Sequence, residues 1–286
     1  MKAIHHDLLQ EGRNVPWTKL CAVLGVPRSS AYDIAKEKTP RRMIDPVLEK
    51  RIKELIETQA AFGIRSVWSW LRFVDGLQIN RQKVERIMRL KRWTLKARRA
   101  GQRPRVQASR SIAEAPNLRW ATDIALVHCG TDGWCALVPV IDCCTREILG
   151  WELDRTARAK TAERALEEAL LNRFGWLHGA PQGLALRHDN GLVFGSRLYC
   201  STVRRYGLRQ EYIAPYTPEQ NGLCERFIRT LKEQCVWLHR FNSLSHARSV
   251  IANWINQYNS LRPHQALDYL SPTQYLNSFL CTQQAA

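Results

Sequence analysis

Gly183-Leu184-Ala185-Leu186-Arg187-His188-Asp189-Asn190-Gly191 is a short apolar run that ends on an acid and a turn. An apolar run of this length bounded by Gly and Asn-Gly reads as a buried strand, so Asp189 stands where a strand stops. Downstream lies Pro218-Glu219-Gln220-Asn221-Gly222-Leu223-Cys224-Glu225-Arg226, with Gln220 to Gln234 reading as a helix that carries Glu225. Upstream lies Arg119-Trp120-Ala121-Thr122-Asp123-Ile124-Ala125-Leu126-Val127, a second strand with an acid between apolar neighbours. Taken singly, Asp123 caps a strand edge, Asp189 makes a turn with Asn190-Gly191, and Glu225 is a solvated helix residue. Taken together, they are three carboxylates on elements that one sheet can bring to one point.

Three gathered carboxylates repel, at roughly 4 kcal/mol per pair for a 4 Å separation and an effective dielectric of about 20. A cation must offset that cost, and Mg²⁺ or Mn²⁺ suits an all-oxygen site. Two such ions about 3.5–4 Å apart clamp the attacking and leaving oxygens of an in-line displacement at a phosphodiester. The pattern therefore predicts Asp123, Asp189 and Glu225 as metal ligands and catalytic residues.

The composition agrees with a polyanionic substrate. The chain has 286 residues, 43 Lys plus Arg against 26 Asp plus Glu, and a formal net charge of +17. That excess points to nucleic acid as partner. A hydrophobic content of 45% with 24% charged residues is that of a globular protein. No apolar run reaches the length of a membrane span, and the N-terminus lacks the apolar stretch of a signal peptide, so a cytoplasmic location and no membrane partner are expected. Nine cysteines without any Cys-x-x-Cys pair argue against a disulfide framework and a structural zinc site.

The order of elements predicts four regions. Residues 1–40 read as a helix-turn-helix-like segment: a helix from Trp17, a turn at Gly25, and a second helix capped by Ser29 or Ser30, with Arg28 as a DNA contact. Residues 41–95 read as three short helices. The first opens at Asp45-Pro46 with Ile44, Val47, Leu48, Ile52, Leu55 and Ile56 as its apolar stripe; the second spans Arg65 to Phe73; the third is capped by Asn80, with Val84, Ile87 and Met88 inward. Arg86, Arg89, Lys91 and Arg92 make this a second DNA-binding candidate. Residues 96–112, with Arg98 and Arg99, read as a basic linker that follows a phosphate backbone. Residues 113–280 read as a mixed α/β domain. Its strands are Arg119–Cys129, Trp134–Asp142, Glu147–Leu153, the Asp189 strand and Arg209–Ile213. A hairpin turn at 130–133 and helices at 160–174, 196–206 and 243–258 complete it.

Several motifs in this region resemble a known family. Trp120-Ala121-Thr122-Asp123, Ile141-Asp142 with Gly150-Trp151, His188-Asp189-Asn190-Gly191 and Asn221-Gly222-x-x-Glu225 with Lys232 are similar to the retroviral-integrase-type transposases of bacterial insertion sequences. Tyr258-Asn259-Ser260-Leu261-Arg262-Pro263-His264-Gln265-Ala266-Leu267, Ser271-Pro272, and Phe62-Gly63-Ile64-Arg65 with Val84-x-Arg86-Ile87-Met88 match too. The resemblance is to the insertion-sequence-three family, second reading-frame product, and covers the chain from about residue 44. It implies an RNase H-like integrase core preceded by an all-α helix-turn-helix region, with Asp123, Asp189 and Glu225 as a DDE triad. It also implies Mg²⁺- or Mn²⁺-dependent cleavage at transposon ends and transfer of the 3′-OH to target DNA. The implied partners are DNA, further copies of the chain in a synaptic complex, and the upstream reading-frame product, and the implied location is bacterial and nucleoid-associated. Arg229 and Lys232, four and seven residues after Glu225, share its helix face and can hold a DNA phosphate there. Asp142 is read as structural and His188 as packing or hydrogen bonding. Gln220 stands where many relatives have Asp, and Arg187-His188 where His-Ser is commoner. Two other functions fit the same residues: an RNase H-like nuclease that only hydrolyses, and a DNA-binding regulator without catalysis.

Overall fold

The computed structural model describes residues 2–27, 43–95, 113–214 and 218–284. The chain divides into two compact units, Met1–Pro46 and Val47–Ala286. In the first, helices α1 (Lys2–Gln10) and α2 (Trp17–Val23) are described, with Leu20 and Cys21 buried. Helix α1 was not expected from sequence. The second helix expected here, its Ser29 or Ser30 cap and Arg28 lie outside the described residues, as do Arg98, Arg99 and the linker.

The second unit begins with α3 (Pro46–Thr58), α4 (Ile64–Phe73) and α5 (Arg81–Leu90). Asn80 caps α5 by accepting from the Gln82 N–H at 3.0 Å, which satisfies one of the orphan donors of a helix start. Val84, Ile87 and Met88 are fully buried, as their spacing predicts. Val47 was expected inward and is 78% exposed. It is the second residue of α3, ahead of the Leu48, Ile52 and Leu55 stripe that the helix buries.

A six-stranded sheet follows. Its strands are β1 (Arg119–Thr122), β2 (Ala125–His128), β3 (Trp134–Asp142), β4 (Ile148–Asp154), β5 (Ala185–His188) and β6 (Arg209–Tyr212). Strand β3 is central. It pairs antiparallel with β4 on one side and with β2 and β1 on the other. Strands β5 and β6 then extend the sheet parallel to β1. With β1 and β2 as successive halves of one row beside β3, three antiparallel rows and two parallel strands added next to β1, flanked by helices, make the RNase H-like arrangement.

The sequence explains why helices cover both faces. Side chains alternate along a strand, and in β3 every residue except Trp134 is buried. Val138 and Val140 join Trp120, Leu149 and Leu186 beneath α6 (Ala159–Phe174) and α7 (Arg197–Arg205). Leu137 and Ile141 join Ala121, Ala125 and Val127 beneath α8 (Gly222–Gln234) and α9 (Leu244–Ser260). The chain ends in α10 (Pro272–Gln284).

One strand expectation needs correction. Arg119–Cys129 is not one strand: pairing stops after Thr122 and resumes at Ala125. Asp123 is therefore not mid-strand but at a break, where its Oδ1 accepts from the Ile124 N–H at 2.8 Å. The acid's bond to the next backbone N–H competes with the ladder. The hairpin turn expected at 130–133 does join β2 to β3, His128 pairing with Trp134, and residues 130–132 within it form a 3₁₀ turn. Gly130 has φ +62°, and a Cβ there would lie 2.4 Å from the Phe241 carbonyl oxygen.

Candidate active site on the sheet and helix α8

Strand register brings the first two acids together. In the parallel β1–β5 pair, Trp120 faces Leu186 and Ala121 faces Arg187. Two residues further, the same register sets Asp123 abreast of Asp189. Neighbouring strands are about 4.8 Å apart, so both acids leave the carboxyl ends of adjacent parallel strands side by side. Asp189 is held by a turn: its Oδ1 accepts from the Gly191 N–H at 2.9 Å. A Cβ on residue 191 would sit 2.9 Å from that same oxygen, so glycine leaves the carboxylate its room.

The third acid arrives on α8. This helix buries Cys224, Phe227, Ile228 and Leu231 against the sheet, an i, i+3, i+4, i+7 stripe. Glu225, Arg229 and Lys232 share the neighbouring face, with Glu225 exposed and Lys232 half-buried. Two hydrogen bonds fix where α8 starts. The Asn221 side-chain amide donates to the Thr122 carbonyl at 3.2 Å, one residue before Asp123. The Arg187 guanidinium donates to the Gln220 carbonyl at 2.8 Å. Arg187 also donates to Glu211 at 2.8 Å, which in turn accepts from Arg119 at 2.7 Å. One carboxylate thereby joins β1, β5 and β6, and the buried Arg187 carries that rigidity to α8. Gln220 does a related job, its Oε1 accepting from the Ala214 N–H at 2.8 Å. Sequence reading gave no role to Asn221, Arg187 or Glu211. The signals were that Asn221 opens the Asn221-Gly222-x-x-Glu225 motif and that Arg187 departs from the commoner residue.

The electrostatics report the convergence. Burial first, then Asp189 and Glu225, push the Asp123 carboxyl up to about 6, while the Ile124 N–H and Lys232 pull the other way. Asp189, Glu225 and Lys232 are therefore all close enough to act on the Asp123 carboxyl. Among the described residues, however, no three His, Cys, Asp or Glu side chains stand close enough to hold a metal ion as placed. The acids meet as an electrostatic cluster rather than a finished ligand set. Their donor chemistry is oxygen only, and a carboxyl whose charged form is disfavoured by its neighbours is one that a hard cation would stabilise. In donor type, though not in the spacing of the side chains, the three residues fit a divalent metal.

The flanking acid and histidine have other work. Asp142 is fully buried and spends its oxygens on the backbone N–H groups of Asn117, Cys144 and Thr145, at 2.8–2.9 Å. His188 is buried, with its Nδ1 2.7 Å from the Asp189 carbonyl, and its ring stacks on Phe194. Burial pulls its pKa down, which suits a packing role.

Three family models match. An integrase core domain matches residues 113–218, a second integrase core domain model matches 206–272, and an HTH-like domain matches 45–101. The transposase InsD of insertion element IS2A/D/F/H/I/K from Escherichia coli is 30% identical over 239 residues, covering 81% of this chain and 78% of InsD. The chain belongs to the insertion-element transposases. An uncharacterized 31.7 kDa protein of insertion element IS407 from Burkholderia multivorans is 28% identical, over 97% of this chain and 96% of that protein. A 39.2 kDa protein of IS476 from Xanthomonas euvesicatoria is 29% identical, over 99% and 77%. This transposase is thus a polynucleotidyl-transferase-type enzyme of DNA transposition, on an RNase H-like core with a helix-turn-helix-like region before it.

The remaining predicted contact residues of the transposase are scattered. Arg229 pairs with Glu233 at 3.1 Å, Arg89 with Glu85 at 2.6 Å and Lys91 with Glu49 at 2.5 Å. Surface pairs of this kind are worth about 0–1 kcal/mol, so a DNA phosphate can displace them. Arg92 is exposed at the left-handed residue after α5, φ 58°, and Arg86 is half-buried on α5. No helix among the described residues is long and apolar enough to cross a membrane.

Proposed function

We propose that this transposase cuts the ends of its element and joins the resulting 3′-OH to target DNA, with Asp123, Asp189 and Glu225 as the catalytic carboxylates. The observation that carries the reading is the Asp123–Asp189 pair on adjacent parallel strand ends, with Glu225 close enough to raise the Asp123 carboxyl. The three would hold Mg²⁺ or Mn²⁺, two ions in all, which when bound lower the pKa of the attacking hydroxyl and stabilise charge on the leaving oxygen.

The protein's own residues supply position. Asn221 and Arg187 fix the start of α8, so that Glu225 faces the strand ends. Lys232 and Arg229, on the same helix face, hold a phosphate of the scissile strand. In the first step a water oxygen attacks the phosphodiester and the 3′-oxygen leaves with a proton as 3′-OH. In the second, that 3′-oxygen attacks a target phosphodiester, one P–O bond forming as another breaks. Neither step needs a covalent enzyme intermediate. Residues 1–40 and 41–95, with Arg28, Arg86, Arg89, Lys91 and Arg92, would grip the ends, and Arg98 and Arg99 of the 96–112 linker would follow the backbone into the 113–280 core. Synapsis of two ends calls for more than one copy, with the upstream reading-frame product as a further partner.

The test uses labelled end DNA and target duplex with Mg²⁺ or Mn²⁺. Cleaved and joined products from the natural protein, both lost in Asp189→Asn and Glu225→Gln, are expected. Cleavage without joining would replace this reading with that of a nuclease. DNA binding without cleavage under either metal, with the upstream product fused as well as without it, would replace it with that of a regulator.

A further inference from the structure

A pocket of about 210 Å³ lies on the other flank of α8 from Glu225. Arg226 and Thr230 of α8, Arg146 of the β3–β4 turn, and Tyr258, Arg262 and His264 around the end of α9 line it. At about 100° per residue, Arg226 and Thr230 sit roughly 100° and 140° around the helix from Glu225. It is therefore not the catalytic site.

Its chemistry is one-sided. Three guanidiniums face it, and no carboxylate lines it among the described residues. Two of them are near enough to repel: burial first, against the pull of Tyr258, and then Arg226 lower the Arg262 pKa. Arg262 spends its Nε on Gln234 at 3.2 Å and lies over the Tyr258 ring. The His264 side chain is more than nine-tenths buried, yet its Nε2 has no hydrogen-bond partner. Burial, with Arg262 and Arg146 beside it, pushes this imidazole down to about 2, so the ring is neutral and Nε2 is one donor or acceptor without an occupation. A buried polar atom left unsatisfied is costly, and so are converging cations with no counter-charge. One ligand settles both: an anion with several acceptor oxygens, which forked guanidiniums grip bidentately.

We propose that the Arg146–Arg226–Arg262–His264 pocket is a second, non-catalytic phosphoryl-binding site of the transposase. Two sources present that chemistry, a backbone phosphate of bound DNA and a free phosphate or nucleotide. Positive charge and size suit either. The site would couple occupancy to the placing of α8, since Arg226 is next to Glu225 and Arg262 grips the last residue of that helix.

The test has two arms, and only the second rests on the DNA reading above. In the first, thermal melting is followed in inorganic phosphate and in sodium chloride at equal ionic strength. The variants are Arg146→Gln on the turn and Arg226→Gln on an exposed helix position, neither of which removes core packing. Phosphate should raise the natural protein's Tm by about 3 °C over chloride, and each variant should lose most of that rise. A rise that chloride reproduces, or that both variants keep, overturns the proposal. In the second arm, end-DNA binding is titrated with salt by fluorescence anisotropy. Weaker binding by both variants, with the log–log slope reduced by about 0.9, assigns the pocket to the DNA backbone. An unchanged slope beside a lost phosphate rise assigns it to a free phosphoryl ligand.

Discussion

Asp123 occupies a position at odds with its charge. Its carboxyl is raised to about 6, by burial before anything else and then by Asp189 and Glu225. In the metal-free protein the folded state therefore holds this proton more tightly than the unfolded chain does. Folded molecules carry more bound protons between about pH 4 and 6, so this residue's share of stability falls as pH rises through that window and stays low above it. Asp123→Asn removes the charge and keeps the shape. Without metal at pH 7.5 the variant should be more stable than the natural protein, by about 1–3 kcal/mol. The advantage should vanish near pH 3.5. Urea melts at the two pH values check it, and equal stability at pH 7.5 would mean the acid is not pressed by its neighbours. Adding Mg²⁺ should reverse the order, because only the natural carboxylate gains from the ion. A companion outcome concerns Arg187, whose guanidinium spans Glu211 and the Gln220 carbonyl. Arg187→Ala leaves Glu211 with Arg119 alone and should cost about 3 kcal/mol. Arg187→Lys restores one contact but not two, so it should cut cleavage several-fold while end-DNA affinity changes little. Equal losses in binding and cleavage would make Arg187 a fold residue only.

At the scale of elements, the contact of β4 with α6 leaves no room for a side chain at residue 150. A Cβ on Gly150 would lie 2.4 Å from the Ala169 nitrogen and 2.6 Å from the Ala165 oxygen. Both are helix backbone and cannot step aside. Gly150→Ala should push α6 off the sheet at about 1–3 kcal/mol or more, lowering Tm by roughly 3–10 °C for a unit of this size. An unchanged Tm would show that the approach is looser than drawn. The same element shows what could be read from sequence and what could not. Gly150-Trp151 stood out as a motif, but only the helix across the sheet explains it. Strand β3 and the Asp189 strand end were legible because alternation and turn residues are local. The break at Asp123 was not, since it depends on a single side-chain bond to Ile124. Helix α10 had a local signal that went unread. Ser271-Pro272-Thr273-Gln274 is a capping box, with the Ser271 Oγ accepting from the Gln274 N–H and the Gln274 side chain accepting from the Ser271 N–H. The three acids could be named from sequence, whereas their supports join residues up to 99 positions apart, and no window of sequence shows such a pairing.

For the larger unit as a whole, aromatic contacts tie the helices α3 to α5 to the integrase core. The Tyr269 ring stacks on Phe73 at 4.9 Å and meets Trp68 edge-on at 5.3 Å. Arg65 donates to the Gln265 side chain at 2.7 Å. Tyr269 holds its place through two successive left-handed residues, Asp268 at φ 52° and Tyr269 at φ 64°. That backbone is uncommon outside glycine and asparagine, so aromatic packing repays the cost of the turn. Each aromatic pair is worth about 0.5–1.5 kcal/mol beyond its buried area. Tyr269→Ala removes two pairs at once and leaves Arg65–Gln265, an exposed bond of small net worth. The helices have their own buried core in Val67, Leu71, Val84, Ile87 and Met88, so they should stay folded when the tie is cut. Hydrogen exchange then separates two outcomes. If the clamp sets how the helices are carried, the amides of α4 and α5 should exchange several-fold faster in Tyr269→Ala while those of β3 and β5 hold their protection. Uniform acceleration across the sheet would instead mean that the two parts fold as one cooperative body. The consequence for transposition follows from the first outcome: a DNA end gripped by the helices reaches Asp123 and Asp189 only if that grip is held at a fixed place. Tyr269→Ala should therefore lower cleavage of end DNA more than it lowers affinity for it.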